Sequence, residues 1–398
     1  MTSSTLDKDS AALSELLTVL GREAQAFRFE VAPNPCVGAA VLAGGVEVAR
    51  GFHRVWGGPH AEVEALEAAR AAARLGGPGP ESWDTLVVTL EPCSSTGKTP
   101  PCVDAIVAAG IRTVVVGALD PDPRHRGRGL EKLREAGLEV ALIDGPCPLE
   151  SVAPHFLRWT SRERLRRPRP WTVAKWAQTL SGHLRPPKDV GDGRWISGPG
   201  ALAEVHELRG RVDAILTGVG TVLADDPRMT LRPQGSAANL GGLDPVGIQP
   251  PQRIVFDSWL RTPPDARLFA PAEPGEFAGG VVILSLPAPD VQRRRRLEAA
   301  GAEVVEMRGT DRKRLHLRTV HEWLMERGLR RVLLESGPEL LRAHLTGGFV
   351  DQVRVVTGDV RGGRGESLAS WLATADLQER LDREVAPDAV LEAFLESK

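Results

Sequence analysis

The chain has 398 residues, a formal net charge of −2, 42% hydrophobic and 26% charged residues, and four cysteines. That length exceeds what one hydrophobic core usually serves, so two domains are expected. The near-neutral charge gives no ground for wholesale attraction to nucleic acid or to a membrane surface, and so few cysteines exclude a disulfide scaffold. No apolar run reaches the length of a membrane span. The first ten residues, "MTSSTLDKDS", lack the basic-then-apolar order of a signal peptide, so a cytoplasmic location is expected. The sequence has no tyrosine, which leaves Glu, Asp, His, Lys or water for any proton transfer.

Residues 10–28 carry apolar positions at helical spacing, and 37–51 ("VGAAVLAGGVEVARG") read as two strands around a Gly-Gly turn. Residues 60–74 read as a helix and 85–90 ("TLVVTL") as a strand. Then "VDAIVAAG" reads as a helix, "RTVVVGAL" as a strand, "GLEKLREAG" as a helix and "LEVALI" as a strand. Such alternation predicts a largely parallel sheet with helices on its faces. Residues 149–170 turn basic and proline-rich and read as a helix running into a linker; this run, like "RRRR" at 293–296, is expected to be a solvated face.

A second alternating pattern starts at 171. "WTVAKWAQT" reads as a strand and "GPGALAEVHELRGR" as a helix capped by Ser197. Strands are expected at "VDAILTGVG", "QRIVFDS" and "GGVVILSL", then a helix near 290–300, the strand "AEVVEM" and a helix over 311–328. The strand "RRVLLESG", the short helix "PELLRAHLTGG" and the strand "VDQVRVVTG" follow, and 233–251 read as a long surface loop. The expected organisation is 1–150, a helix and basic linker over 151–170, and 171–398.

Two stretches carry chemistry. "GGPHAEVEAL" puts His60 and Glu62 at the start of a helix, and "LEPCSSTGKTPPC" supplies Cys93 and Cys102, each directly after a proline. One histidine and two cysteines on zinc, with a nearby glutamate that does not bind it, is the arrangement of the nucleobase deaminases. Three protein ligands leave the fourth position open, as a catalytic zinc requires, and Glu62 suits proton transfer to a ring nitrogen and departing ammonia. Proline before Cys102 favours a helix start there, where free N–H groups and the helix dipole are expected to favour its thiolate. Cys36 and Cys147 read as a pocket or core thiol and a loop thiol.

The segments "PNPCVGA", "GPHAEVEAL", "LEPCSSTGKTPPC", "AGIRTVVVGALDPDP" and "GRGLEKLREAGLEV" resemble, in order and spacing, the deaminase half of the bifunctional riboflavin-biosynthesis deaminase/reductases. "TVAKWAQTLSG", "GRWISGPGALAEVHELRGRVDAILTGVGTVLADDPRMTLRP", "RIVFDS" and "LLESGP" resemble the reductase half. The resemblance implies a cytidine-deaminase-like α/β/α sandwich followed by a dihydrofolate-reductase-like α/β domain. It implies zinc-dependent deamination of 2,5-diamino-6-ribosylamino-4(3H)-pyrimidinone 5′-phosphate, then NADPH-dependent reduction of the ribose to ribityl.

By the same resemblance His60, Cys93 and Cys102 are the zinc ligands, Glu62 the proton shuttle, and Asn34 part of the substrate pocket. Trp195, Thr221, Asp225, Ser258 and Gly337 fall at cofactor positions, with Thr221 and Asp225 on a glycine-bearing loop. Arg209, Met229, Arg232 and Glu335 fall at substrate positions, the two arginines for the 5′-phosphate. A homodimer through the reductase domains is implied. The sequence departs from the usual family form at Ser95, Lys98 and Asp122, and at Ser181, Gly193 and Ser336 in the second half. A deaminase with a weak, redirected or inactive reductase domain is therefore the alternative, and a nucleic-acid-editing deaminase a more distant one.

Overall fold

A computed structural model describes residues 5–96, 100–143, 155–157, 169–188, 196–232, 250–287, 290–310 and 314–396. The chain divides into two units, Met1–Arg166 and Arg167–Lys398, each with its own sheet. Most of the expected 151–170 linker and of the 233–251 loop lies outside the described residues, as do Cys147, Lys98, Gly193 and Trp195.

The first unit is a five-stranded sheet in the order β2-β1-β3-β4-β5. Its strands are β1 (Gly38–Ala43), β2 (Val46–Phe52), β3 (Thr85–Val88), β4 (Thr113–Val116) and β5 (Glu139–Leu142). β1 runs antiparallel to β2 and β3, while β3, β4 and β5 are mutually parallel. The helices are α1 (Thr5–Ala24), the single turn α2 (Arg28–Val31), α3 (Ala61–Arg74), α4 (Cys102–Ala108) and α5 (Arg128–Glu135).

Strand periodicity decides which helix covers which face. Ala40, Leu42, Val87 and Val115 pack with Leu13, Leu17, Leu20 and Ala24 of α1. The alternate residues Ala39, Val41, Leu86, Val88, Val114 and Val116 pack with α3, α4 and α5 through Ala65, Leu66, Ile106 and Leu133. Burying a residue such as Leu66 contributes about 2 kcal/mol. α3 lies so close to β2 that a Cβ on Gly51 would stand 2.2 Å from the Ala65 nitrogen. That close approach fixes the first turn of α3, which carries His60 and Glu62.

The second unit has a nine-stranded sheet in the order β11-β10-β9-β8-β12-β6-β13-β16-β15. In chain order its elements are β6 (Trp171–Gln178), β7 (His183–Arg185), α6 (Pro199–Arg209), β8 (Ala214–Gly218), α7 (Val219–Asp225), β9 (Gln252–Phe256) and β10 (Val281–Ser285). Then come α8 (Val291–Ala299), β11 (Ala302–Glu306), α9 (Leu317–Glu326), β12 (Arg331–Leu334), α10 (Pro338–Thr346) and β13 (Gln352–Thr357). The last are β14 (Arg364–Ser367), α11 (Ala369–Thr374), β15 (Leu377–Val385) and β16 (Asp388–Leu395). The run from β11 to β13 is parallel, and β16 and β15 add an antiparallel edge. β7 and β14 form a separate two-stranded pair.

Three expectations change here, and one segment without an expectation gains structure. The cap of α6 is Gly198, not Ser197; no side chain caps the first turn, and the Gly198 N–H itself donates to Asp388 Oδ2 at 2.7 Å. Residues 219–225, expected as a glycine-bearing loop, form α7, because Val219 and Val222 bury against Val255 and Ile283. The helix expected over 311–328 starts at Leu317, where the His316 side chain accepts from the Thr319 N–H. Gly309 and Leu315 form a bridge before it. After residue 360 the unread tail supplies three strands, and β16 is tied to β13 by a buried Arg354–Glu392 pair at 2.7 Å.

Candidate active sites

In the first unit the starts of α3 and α4 and the loop after β3 bring three metal-ligand residues together. His60 is the N-cap of α3 and its carbonyl accepts the Glu64 N–H, so its ring leaves from the helix mouth. Cys102 is the first residue of α4, after Pro101. His60 Nδ1 stands 3.3 Å from Cys102 Sγ and 3.6 Å from Cys93 Sγ, and the three ligand atoms all lie within 4.8 Å of one another. Two sulfurs and one imidazole nitrogen at this separation suit zinc, whose thiolate and imidazole bonds are about 2.0–2.3 Å long.

The expected benefit of the α4 mouth falls on the other cysteine. The Cys102 N–H donates to Cys93 Sγ at 3.2 Å. Hydrogen bonds from Cys102 and His60 push the Cys93 thiol down to about 4, while its anion and burial push Cys102 up. Burial works against a charged His60, but the Cys93 hydrogen bond and the Glu62 charge outweigh it and hold the imidazole above its ordinary value. Glu62 is 3% exposed, and burial raises its carboxyl above the usual carboxylate range, against the pull of His60. A carboxyl so placed binds a proton more readily than an ordinary carboxylate.

Asn34, in the turn after α2, donates from Nδ2 to His53 Nε2 at 3.1 Å. His53 Nδ1 meets the Pro59 carbonyl at 2.9 Å, and its ring lies edge-on to His60 with centroids 5.1 Å apart. His53 was not singled out from sequence; its signal was a second histidine seven positions before His60 in "GFHRVWGGPH". Ser95 is exposed, Asp122 is buried and pairs with Arg124, and Cys36 packs in the core under α1.

In the second unit Arg209, at the end of α6, grips Glu335, just past β12, through two hydrogen bonds of 2.8 and 2.7 Å, and donates from Nη1 to the Thr230 carbonyl at 2.9 Å. Arg209 holds the Glu335 carboxyl below its usual range in spite of burial. Arg232 donates its N–H to His206 Nδ1 at 3.3 Å and pairs with Glu276, so it is engaged differently from Arg209. Met229, buried and at φ 53°, directly precedes Thr230, whose carbonyl Arg209 holds, and lies three residues before Arg232. Burial and both arginines push His206 down to about 4. Lys175 on β6 faces the same charges; burial lowers its pKa, against Glu335 and together with Arg209 and Arg354. His206 and Lys175 were missed as site candidates. A helix and a strand hid them, and only their inward positions in those elements mark them.

Thr221, Ser258 and Gly337 follow the carboxyl ends of the adjacent parallel strands β8, β9 and β12, where ligands of open α/β sheets bind. The Gly337 N–H donates to Thr221 Oγ1 at 2.8 Å. Asp225 closes α7, and burial raises its carboxyl in spite of Arg185. Between Glu335 and Gly337, the Ser336 hydroxyl is buried with no partner among the described residues. An orphaned donor in this turn fits a phosphate-bearing cofactor. Ser181, one of the departures from the usual family form, donates to the Gly362 carbonyl at 2.8 Å.

The family model of the RibD C-terminal domain matches residues 170–377, and that of the cytidine and deoxycytidylate deaminase zinc-binding region matches 12–118. The riboflavin biosynthesis protein RibD of Aquifex aeolicus is 35% identical over 351 residues, 88% of this chain and 87% of that protein. RibD of Escherichia coli is 35% identical over 334 residues, 83% of each chain. Among solved structures, Acinetobacter baumannii RibD superposes with a TM-score of 0.64 at 26% identity, covering 96% of this chain and 99% of that one. The deaminase/reductase of Thermotoga maritima superposes with a TM-score of 0.61 at 27% identity, with the same coverage.

Proposed function

The chain belongs to the RibD family of riboflavin-biosynthesis proteins, and on that premise we propose how its two units divide the work. The first unit hydrolytically deaminates 2,5-diamino-6-ribosylamino-4(3H)-pyrimidinone 5′-phosphate, and the second reduces the ribose of the product to ribityl. The observation that carries the reading is the convergence of His60 Nδ1 and the Cys93 and Cys102 sulfurs beside a buried Glu62.

Zinc held by His60, Cys93 and Cys102 supplies Lewis acidity that makes a water nucleophilic near pH 7. Glu62 takes the proton that water loses and passes it to the pyrimidine ring nitrogen. Protonation there makes the amino-bearing carbon electrophilic, and a second transfer lets ammonia leave. Burial raises the Glu62 pKa, which favours its holding the proton between the two transfers. Asn34, oriented by His53, lines the substrate pocket.

In the second unit NADPH, held by Thr221, Asp225, Ser258 and Gly337 and by Trp195, which lies outside the described residues, supplies a hydride. Arg232 and Arg209 bring positive charge for the 5′-phosphate, with Met229 between them, and Glu335 accepts from ribose hydroxyls. The ribose ring oxygen released on reduction needs a proton, and Lys175 is the titratable cation of that cluster. The protein works in the cytoplasm as a homodimer. Among the described residues no helix is long and apolar enough to cross a membrane.

Incubation with the diaminopyrimidine substrate, with and without NADPH, tests the assignment by product mass. The amino-to-oxo product is expected without NADPH and its ribityl form with it. Deamination with no NADPH consumption would leave a deaminase with an idle second unit.

A further inference from the structure

The carboxylate of Glu91 lies two residues before Cys93 and is 6% exposed, yet it touches neither His60 nor Glu62 in any hydrogen bond among the described residues. Its acceptors are used on a different segment. Oε2 takes the N–H groups of Asp120 at 3.1 Å and Gly127 at 2.9 Å, and Oε1 takes that of Gly129 at 2.8 Å. The Glu91 N–H in turn donates to the Ala118 carbonyl at 2.8 Å. Three backbone donors on one buried carboxylate form a strong, geometrically fixed set, because the acceptor is charged and each donor has little alternative.

The loop so gathered, from Ala118 to α5, returns to the chain on both sides of Cys93. Before the cysteine, Gly129 lies against Pro92, where an added Cβ would stand 2.1 Å from the Pro92 carbonyl oxygen. After it, the ammonium of Lys132 donates to the Ser94 carbonyl at 2.6 Å. The Cys93 carbonyl itself accepts the Val103 N–H at 3.3 Å, which couples it to the start of α4 and Cys102. The backbone at Pro92, Cys93 and Ser94 is therefore held at three consecutive residues.

We infer that Glu91 is a positioning residue for the metal: by gathering Asp120, Gly127 and Gly129 it presses α5 against the Pro92–Ser94 turn and sets where the Cys93 sulfur points. Lys132 is the secondary tether of the same clasp. This rests on the zinc reading of the first unit. Outer partners of metal ligands hold metal affinity in this way without touching the ion.

Glu91→Gln keeps the shape but replaces one accepting oxygen with an amide group that faces backbone donors. Glu91→Asp keeps both oxygens, and Lys132→Met removes a solvent-facing tether with no buried group to orphan. Zinc affinity is measured by chelator competition on the full-length enzyme, and ligand geometry from the visible bands of the cobalt-substituted protein. Affinity is expected to fall about ten- to a hundredfold in Glu91→Gln and about two- to fivefold in Lys132→Met, with shifted cobalt bands in both. Glu91→Asp is expected to recover most of the loss, and reduction of the deaminated substrate is expected to be unchanged in all three.

Native zinc affinity and native cobalt bands in Glu91→Gln would overturn the inference. Should that variant not fold, the same result in Lys132→Met would do so. Native enzyme that binds neither metal would instead remove the zinc reading itself, so the two failures are distinguishable.

Discussion

In the first unit the metal-ligand residues lie within 42 positions of one another along the chain, whereas Arg209 and Glu335, which form a single ion pair in the second, are 126 positions apart. The first site is made of residue types that seldom cluster without chemistry: a histidine and a cysteine at two helix starts and a second cysteine in the loop after β3. The second is made of arginines, carboxylates and a lysine, which are common everywhere and gain meaning only from their partners. The electrostatics differ in kind as well. Burial in the first unit raises a carboxyl, Glu62, so that it can carry a proton. In the second, Arg209 keeps Glu335 ionised in spite of burial.

Removing the proton carrier should break the contrast most sharply. Glu62→Gln is expected to lower deamination by about a hundred- to ten-thousandfold while zinc content and NADPH-dependent reduction stay at native levels. Native deamination in this variant, followed by ammonia release, would take the shuttle role away from Glu62. Glu335→Gln is the matching cut in the second unit. It leaves the Arg209 fork with one neutral acceptor oxygen in place of a carboxylate, and a loss of about 2 kcal/mol in urea unfolding is expected, together with at least about a tenfold fall in NADPH oxidation and unchanged deamination.

Acid should separate the units by sign. Burial pushes His344 and His206 down to about 4 and His321 well below its ordinary value. His321 packs tilted against Phe349 and His344, His344 meets Phe349 edge-on, and both histidines feel the Arg169 charge. The unfolded chain binds protons near pH 6.5 that folded His344 and His206 refuse until about pH 4. Stability of the second unit is thus full above pH 6.5 and is lost as pH falls toward 4, at up to about 1.4 kcal/mol per pH unit for a buried histidine such as His344. His60 is shifted upward, so in metal-free protein its contribution is present below pH 6.5 and is lost as pH rises through its folded value. Unfolding monitored across this range should show the second unit failing first in acid, and His321→Leu should flatten its slope. A second unit that keeps its stability to pH 4 would contradict buried neutral histidines.

The smallest effect concerns the orphaned hydroxyl. Ser336→Ala is expected to weaken NADPH binding about two- to fivefold, read by quenching of protein fluorescence, with no effect on zinc. Unchanged affinity would mean that the hydroxyl finds its partner elsewhere.

The same contrast governs what could be read from sequence. The strand–helix alternation was legible where a strand is a short apolar run, as in "TLVVTL" and "RTVVVGAL", and where its covering helix carries a 3.6-residue stripe. β15 escaped because "LQERLDREV" shows one partly buried face between charges, and its pairing is set by β16. The α6 cap could not be read because its acceptor, Asp388, lies 190 positions away. Arg209 and Arg232 were legible as cations but not as the partners of Glu335 and Glu276, since both pairings are made only when distant segments meet. Glu91 sits inside "LEPC" itself, yet its role depends on three backbone N–H groups, which no sequence pattern displays.

The separability of the two sites can be measured directly by mixing. Glu62→Gln and Glu335→Gln proteins are each given the diaminopyrimidine substrate and NADPH, alone and together, and the ribityl product is followed by mass. Each variant alone should form little of it, and the mixture should restore it, because Glu335→Gln supplies the deaminated intermediate that Glu62→Gln reduces. Full ribityl formation by either variant alone, or none in the mixture, would contradict two complete and independent sites on one chain.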